Sequence, residues 1–333
     1  MKPLLIALAI VAIACAPAPH AGDEIAVVEE SAVIVWDAAT KTEHFIRRAI
    51  FHGKGRDFGF LVPTPTAPTL AEVDDGIFEK LEERTRPEVV HVTKKRVDFT
   101  PFLLMYGMRS DGMTTGAAAP VEVLSSQKVA GYDAVVLAAT DAVALQKWLA
   151  DHGYASTPDL VEWLDAYVQR QWKITAFKVD AARTSAVKMS FATDRPFFPY
   201  REPASQRRLA SEKPQNRALR IWFLGNERVT ATIGENTFWP GILRRSDPLP
   251  AGLRADVARI ANVAVPKRMT AFIDQSSIRP GMDELYFGHA AVQSNFVEPP
   301  RVVEHVDTTH IPLDLVALGI IVIAVAWWLI RRA

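Results

Sequence analysis

Residues 24–51 read EIAVVEESAVIVWDAATKTEHFIRRAIF, and this stretch decides how the fold begins. Two runs rich in β-branched and aromatic residues, Glu24–Trp36 and Glu43–Phe51, flank the turn-like DAATK. That arrangement predicts a β-hairpin. Further strands are expected at Asp57–Val62, Val89–Phe99, Pro120–Leu124, Tyr132–Leu137, Trp172–Val179, Ala186–Ala192, Leu219–Leu224, Arg228–Ile233 and Arg268–Asp274. The strand at DFGFLV stops at PTPTAP, whose prolines cannot extend a central ladder.

Helical signals interrupt these strands. Asp74 and Asp75 precede the charged segment IFEKLEERT, which Pro87 ends. TDAVALQKWLADHG carries Thr140 as N-cap and Gly153 beyond its end; TPDLVEWLDAYVQRQ carries Thr157 as N-cap and Pro158 at the first turn. Leu145, Trp148 and Leu149 form one apolar face, and Leu160, Leu164, Tyr167 and Val168 another, so both helices are expected to pack on a sheet. Another helix is expected at Ala251–Asn262. Residues 204–217, ASQRRLASEKPQNR, read as an exposed loop. The expected fold is α+β, with mixed, mostly antiparallel sheets, a central pair of helices and one C-terminal transmembrane helix.

Both ends suggest an address. Lys2 followed by the apolar run Leu4–Ala14 has the build of an export signal, too short to span a bilayer core of roughly 30 Å. Residues 1–21 are read as the signal peptide, with cleavage either before Cys15 or after Ala21. Cys15, the only cysteine, follows Ala12-Ile13-Ala14 and is the candidate for lipidation; an internal disulfide is excluded. Residues 22–298 are expected to form an extracytoplasmic domain, 299–312 a stalk, and 313–333 the transmembrane helix with a short cytoplasmic end. The apolar run Leu315–Ile330 is followed by Arg331 and Arg332, which the positive-inside rule leaves in the cytoplasm. The bulk of the chain then lies outside the cell membrane, on the periplasmic face if there is an outer membrane. The 38 basic and 38 acidic residues balance, which argues against a nucleic-acid partner.

DFGFLVPTP, AGYDAVVLAATDAVALQKWLADHGY, ITAFKV and SFATDRPFFPYREP follow one another in an order that resembles a bacterial exported family, domain of unknown function 2330 (DUF2330). The resemblance runs from about Ala26 to Glu202. It implies an exported protein, often with a C-terminal membrane or sorting tail, and implies no activity, substrate or catalytic residue.

Few stretches suggest chemistry. HGKGRDFG, residues 52–59, lacks dinucleotide spacing and precedes a strand; it reads as a charged turn, with Lys54 and Arg56 as a minor candidate anion site. His305, Asp307 and His310 in HVDTTH are too few for a structural zinc site, so no metal is expected, and no cofactor. No nucleophile elbow is present, and catalytic residues remain unknown. The most distinctive stretch is TDRPFFPYREP, residues 193–203. Its prolines stiffen the exit from a strand, and Arg195, Tyr200, Arg201 and Glu202 are the candidate binding residues. It opens the most basic part of the chain: Arg195, Arg201, Arg207, Arg208, Lys213, Arg217, Arg220 and Arg228.

The reading that results is a membrane-anchored, non-catalytic binding or scaffold domain of the cell envelope. Its expected partners are the bacterial membrane, through the C-terminal helix, and an envelope protein or anionic envelope component. The alternative is a hydrolase of an envelope polymer using acidic residues, which requires two carboxylates about 5–10 Å apart in a cleft.

Overall fold

The computed structural model describes residues 16–20, 24–54, 57–100, 132–137, 142–151, 153–179, 185–212, 217–279, 281 and 283–332. The chain divides into two compact units, Met1–Arg86 with Ser126–Glu298, and Pro87–Ser125 with Pro299–Ala333.

The strands are β1 (Ala16–Pro19), β2 (Glu24–Asp37), β3 (Thr42–Lys54), β4 (Phe58–Thr64), β5 (Thr69–Val73), β6 (Val89–Thr100), β7 (Tyr132–Leu137), β8 (Lys173–Val179) and β9 (Ala186–Ala192). They continue with β10 (Phe197–Phe198), β11 (Ala218–Gly225), β12 (Val229–Ile233), β13 (Thr237–Phe238), β14 (Ile242–Pro248), β15 (Arg268–Asp274), β16 (Leu285–His289), β17 (Phe296–Val297) and β18 (Arg301–Pro312). The helices are α1 (Gly76–Thr85), α2 (Ala142–Asp151), α3 (Pro158–Gln169), α4 (Ala204–Glu212), α5 (Ala251–Ala261) and α6 (Leu313–Arg332).

The hairpin read from residues 24–51 forms as β2 and β3, bulged between Val27 and Glu29. It lies in an eight-stranded sheet of order β17-β14-β15-β11-β2-β3-β9-β5, in which β2 and β11 run parallel. Alternate side chains leave opposite faces of a strand, and here both faces are covered. Val33, Val35 and Ile46 meet Ile77, Phe78 and Leu81 of α1 and Val257 and Ala261 of α5. Ala32, Ile34 and Phe45 share the other core with Phe58, Phe60 and Val62 of β4, Phe177 of β8 and Phe287 of β16.

Those last residues belong to two four-stranded sheets, β1-β4-β8-β7 and β10-β16-β12-β13. The opposite face of the first carries Leu61, Ile174 and Ala176, which pack on Leu149 of α2 and Leu160, Trp163, Leu164 and Tyr167 of α3. The first unit is therefore mostly β, with sheets packed face to face and helices outside.

This corrects the expected α+β fold with a central helix pair. Both helices form, and Thr157 caps α3 as expected, its hydroxyl accepting from the Leu160 N–H at 3.3 Å. They cover an outer face, because the residues filling the middle are the alternating aromatics of β3, β4, β8 and β16. Residues 204–217 do not form one loop either. Their first part is α4, favoured by good helix formers despite few apolar residues.

In the second unit, β18 pairs in parallel with β6 from Arg301↔Val89 to Pro312↔Thr100, so the expected stalk is a strand. Its run of valines and threonines suits an extended chain. The C-terminal helix α6 forms where expected, and side chains 317–332 are exposed. Among the described residues, however, no helix is long and apolar enough to cross a membrane, which corrects the transmembrane expectation. The physical reason is length. The uninterrupted run Leu315–Ile330 spans about 24 Å of helix against a bilayer core of roughly 30 Å. The signal segment, Cys15 and the strand expected at Pro120–Leu124 lie outside the described residues.

Candidate functional site

TDRPFFPYREP is a corner built into the core. Pro196, Pro199 and Pro203 are buried, which suits a residue that donates no backbone hydrogen bond. Phe197 and Phe198 are buried completely; Phe197 lies 5.0 Å from Trp172, and Phe198 meets Phe45 edge-on at 5.9 Å. Three buried carboxylates receive the corner's polar groups. Glu43 accepts the Phe197 N–H at 2.9 Å. Glu284 accepts the Tyr200 N–H at 2.6 Å, the Arg201 N–H at 3.3 Å and the Tyr167 hydroxyl at 2.5 Å. Asp274 accepts the Tyr200 hydroxyl at 2.7 Å and the Trp239 indole N–H at 3.2 Å.

Burial pushes the Glu43 carboxyl well up, with the Phe197 N–H opposing it. Burial also raises Glu284, against the hydrogen bonds from Tyr167, Tyr200 and Arg201. At Asp274 burial acts upward too, but the Arg279 guanidinium and the bonds from Ser276 and Tyr200 outweigh it and hold the carboxyl low. Burial raises the Tyr200 phenol far above its usual range. These groups are sealed from solvent: Glu43, Tyr200 and Glu284 are each 0% exposed. Shifted carboxylates often mark active sites, but these hold a proline-rich corner in place.

The ion pairs nearby have the same character. Arg217 donates to Glu202 at 2.5 Å with side-chain exposures of 5% and 0%. Arg47 donates to another buried acid, Glu30, at 2.5 Å, and Arg279 approaches that carboxylate at 3.4 Å. Burial works against the Arg279 charge, yet Glu30 and Glu202 prevail and raise it.

The four candidate binding residues are therefore not brought together in one accessible site. Tyr200 and Glu202 lie in the core. Arg201 is half-buried and used through its backbone, its carbonyl accepting the Trp163 indole N–H at 2.8 Å. Arg195 is exposed; it pairs with Glu235 at 2.8 Å and lies over the Tyr286 ring at 4.5 Å. Along the basic stretch, Arg208 pairs with Asp159 and Arg220 with Glu29. Arg56 and Lys213 lie outside the described residues, as does the side chain of Lys54.

What is open to solvent is a groove of about 640 Å³ between β12–β13 and β14–β15. Trp239 and Phe272, 4% and 7% exposed, belong to its lining, while Phe238 and Val292 stand 81% and 58% exposed beside them. Arg228, Thr230, Thr232 and Asn236 supply polar groups. Gly241 is required by close approach, since a Cβ there would come within 2.3 Å of the Trp239 indole. Among the described residues lining this groove there is no carboxylate and no imidazole. A second pocket, about 290 Å³, has Glu227 and His289 in its lining. The pair is hydrogen-bonded at 2.6 Å and largely exposed. Sequence reasoning missed the larger groove. Its signal was the stretch TFWPG, residues 237–241, where two aromatics precede a Pro-Gly turn.

The family of uncharacterized proteins conserved in bacteria, DUF2330, matches residues 9–309, and the chain belongs to it. No curated protein matches this chain. Among solved structures, the crystal structure of baculovirus P35 is similar at a TM-score of 0.37 and 6% identity, covering 83% of this chain and 96% of that one. That likeness is too weak to bear on fold or function.

Proposed function

We propose that this DUF2330 member is a binding domain whose groove receives an extended, apolar segment of a partner protein. The observation that supports this reading is the exposure of Phe238 and Val292 beside a floor of Trp239 and Phe272. Exposed apolar residues gathered at one place mark interaction sites. An extended segment suits the edge beside the groove. Among the described residues, β13 is an outer strand of its sheet paired only with β12, so its other side offers backbone groups to an added strand.

Export is part of the same proposal, and β1 bears on where the leader ends. Ala18 is 0% exposed within the core formed with α2 and α3, and Ala16–Pro19 pair with Leu61–Phe58 of β4. His20 hydrogen-bonds Asp57 at 3.0 Å. Cleavage after Ala21 would remove all of these contacts, whereas cleavage before Cys15 would leave them intact. We therefore infer an extracytoplasmic domain whose mature chain begins ahead of Ala16.

The test is a library of ten-residue peptides with alternating apolar residues, screened against the purified chain by fluorescence of its tryptophans. Selected peptides should bind wild type and the surface variant Arg195→Ala equally, and bind Phe238→Asp and Val292→Asp at least about tenfold more weakly. Peptides that bind Phe238→Asp as well as wild type would refute the groove. Cleaved peptides recovered after incubation would favour the hydrolase instead.

A further inference from the structure

The second unit, as far as its residues are described, is a two-stranded parallel ribbon followed by a helix. Along residues 89–96 and 301–309 nearly every side chain is exposed. Two strands alone make a marginal structure in water, and parallel strands are usually covered on both faces. Something beyond backbone pairing is needed to fix the register of this ribbon.

A pair of histidines occupies one face of it. Parallel pairing sets His91 opposite Val303 and His305 opposite Thr93, so both rings project from the same side. The residues are 214 positions apart in sequence, yet His91 Nδ1 and His305 Nε2 lie 3.2 Å from each other. The rings stack with centroids 5.3 Å apart and planes inclined by 21°. Such a contact requires a lone pair on one nitrogen facing the other, because two protonated nitrogens would repel.

We propose that His91 and His305 form a two-histidine site for a divalent transition metal ion of the zinc class. Zinc–imidazole bonds of about 2.0–2.1 Å in a tetrahedron place neighbouring nitrogens roughly 3.3–3.4 Å apart, close to the separation already present. Turning each ring so that both lone pairs face one ion completes the pair of ligands. Imidazole nitrogens select zinc, copper or nickel over magnesium and calcium. Glu304 is engaged with Lys94 at 2.6 Å and, one residue from His305, points to the opposite face. Asp307 lies two residues from His305 on the histidines' face. Among the described residues no cluster of three metal-ligating side chains occurs, so the protein supplies two ligands and leaves the other positions to solvent or to a partner's group. The ion joins strands from distant parts of the chain and pins their register. It supplies a cross-link that a chain with one cysteine cannot make within itself.

The experiment is calorimetric titration of the full chain with zinc chloride, alongside His91→Ala, His305→Ala and the control His289→Ala. Wild type and His289→Ala should bind one ion, and either ribbon variant should bind about tenfold or more weakly. Zinc should also slow amide hydrogen exchange in residues 89–96 and 301–309 of wild type and not of His91→Ala. Absence of zinc binding, equal binding by the ribbon variants, or equal binding of magnesium would overturn the proposal. Unchanged exchange in the ribbon would do so as well.

Discussion

Replacing Arg217 by methionine removes the cation from the most deeply buried ion pair at the corner and keeps most of its apolar stem volume. Among the described residues, Glu202 is then left 1% exposed with neither oxygen hydrogen-bonded, since its Oε2 has no partner there and its Oε1 depends on Arg217. At the separation of a salt bridge, opposite charges attract by about 4 kcal/mol at an effective dielectric of about 20. Breaking a buried pair from one side typically costs about 3–5 kcal/mol. Arg279 softens the loss, because its charge also faces Glu202, so a value near the lower end, about 3 kcal/mol, is expected. That is a large part of the roughly 5–15 kcal/mol that holds a typical protein folded. Adding Glu202→Gln to Arg217→Met should restore at least about half of the loss, because the orphaned charge is gone. Urea denaturation followed by tryptophan fluorescence would give all four corners of the cycle. The exposed pair serves as the control: Arg195→Met, which frees Glu235 at the surface, should cost less than about 1 kcal/mol. If Arg217→Met costs no more than Arg195→Met, or if the double variant is as unstable as the two single changes summed, the reasoning about burial fails.

Two other measurements follow from the same corner. Glu43 has a folded-state pKa raised by burial, so the folded chain holds a proton that the unfolded chain releases first. Its contribution therefore turns unfavourable as pH climbs from the ordinary carboxylate range through the raised value. Glu43→Gln should unfold at a higher temperature than wild type at about pH 8 and show no such gain at about pH 4; a gain that is constant with pH would count against a buried, titrating Glu43. At the neighbouring candidates, Arg201→Ala should change stability by less than about 1 kcal/mol, because the hydrogen bonds at that position use its backbone and its guanidinium only lies over the Tyr167 ring at 5.9 Å. Tyr200→Phe should cost about 1–3 kcal/mol, since it removes one of the hydrogen bonds that hold buried Asp274; the reverse order in denaturation midpoints would restore Arg201 as the important side chain.

Local patterns carried much of the fold. SAVIVW and ITAFKV are strands because β-branched and aromatic residues favour a pleated, packed surface, and TPDLVEWLDAYVQ is a helix because its cap and apolar stripe agree. The layer each element enters depends on pairings that no local pattern encodes. β2 meets β11 in parallel across almost two hundred residues, from Ala32↔Ile221 outward. That crossing makes the large sheet central and sends α2 and α3 to the outside. Low apolar content misled the reading of 204–212, where helix propensity prevailed. At RVVEHVDTTHIP the strand depended on a partner, β6, from far upstream.

The corner and the groove show why chemistry was harder to read than architecture. Tyr200 and Glu202 read as candidate binding residues because they flank Arg201, whose guanidinium can clamp a carboxylate or phosphate. The same sequence also describes a chain segment that buries polar groups against matching partners. Only the partners distinguish the two cases, and here Glu43, Asp274 and Glu284 come from three other places in the sequence. The groove poses the opposite problem. Phe238 and Val292 carry ordinary core side chains, and their identity gives no sign of exposure. Among the described residues, Phe238 becomes noticeable because β13 ends its sheet. In this chain, polar residues that looked available are sealed in, and apolar residues that looked structural face the solvent, so burial had to be known before either could be given a role.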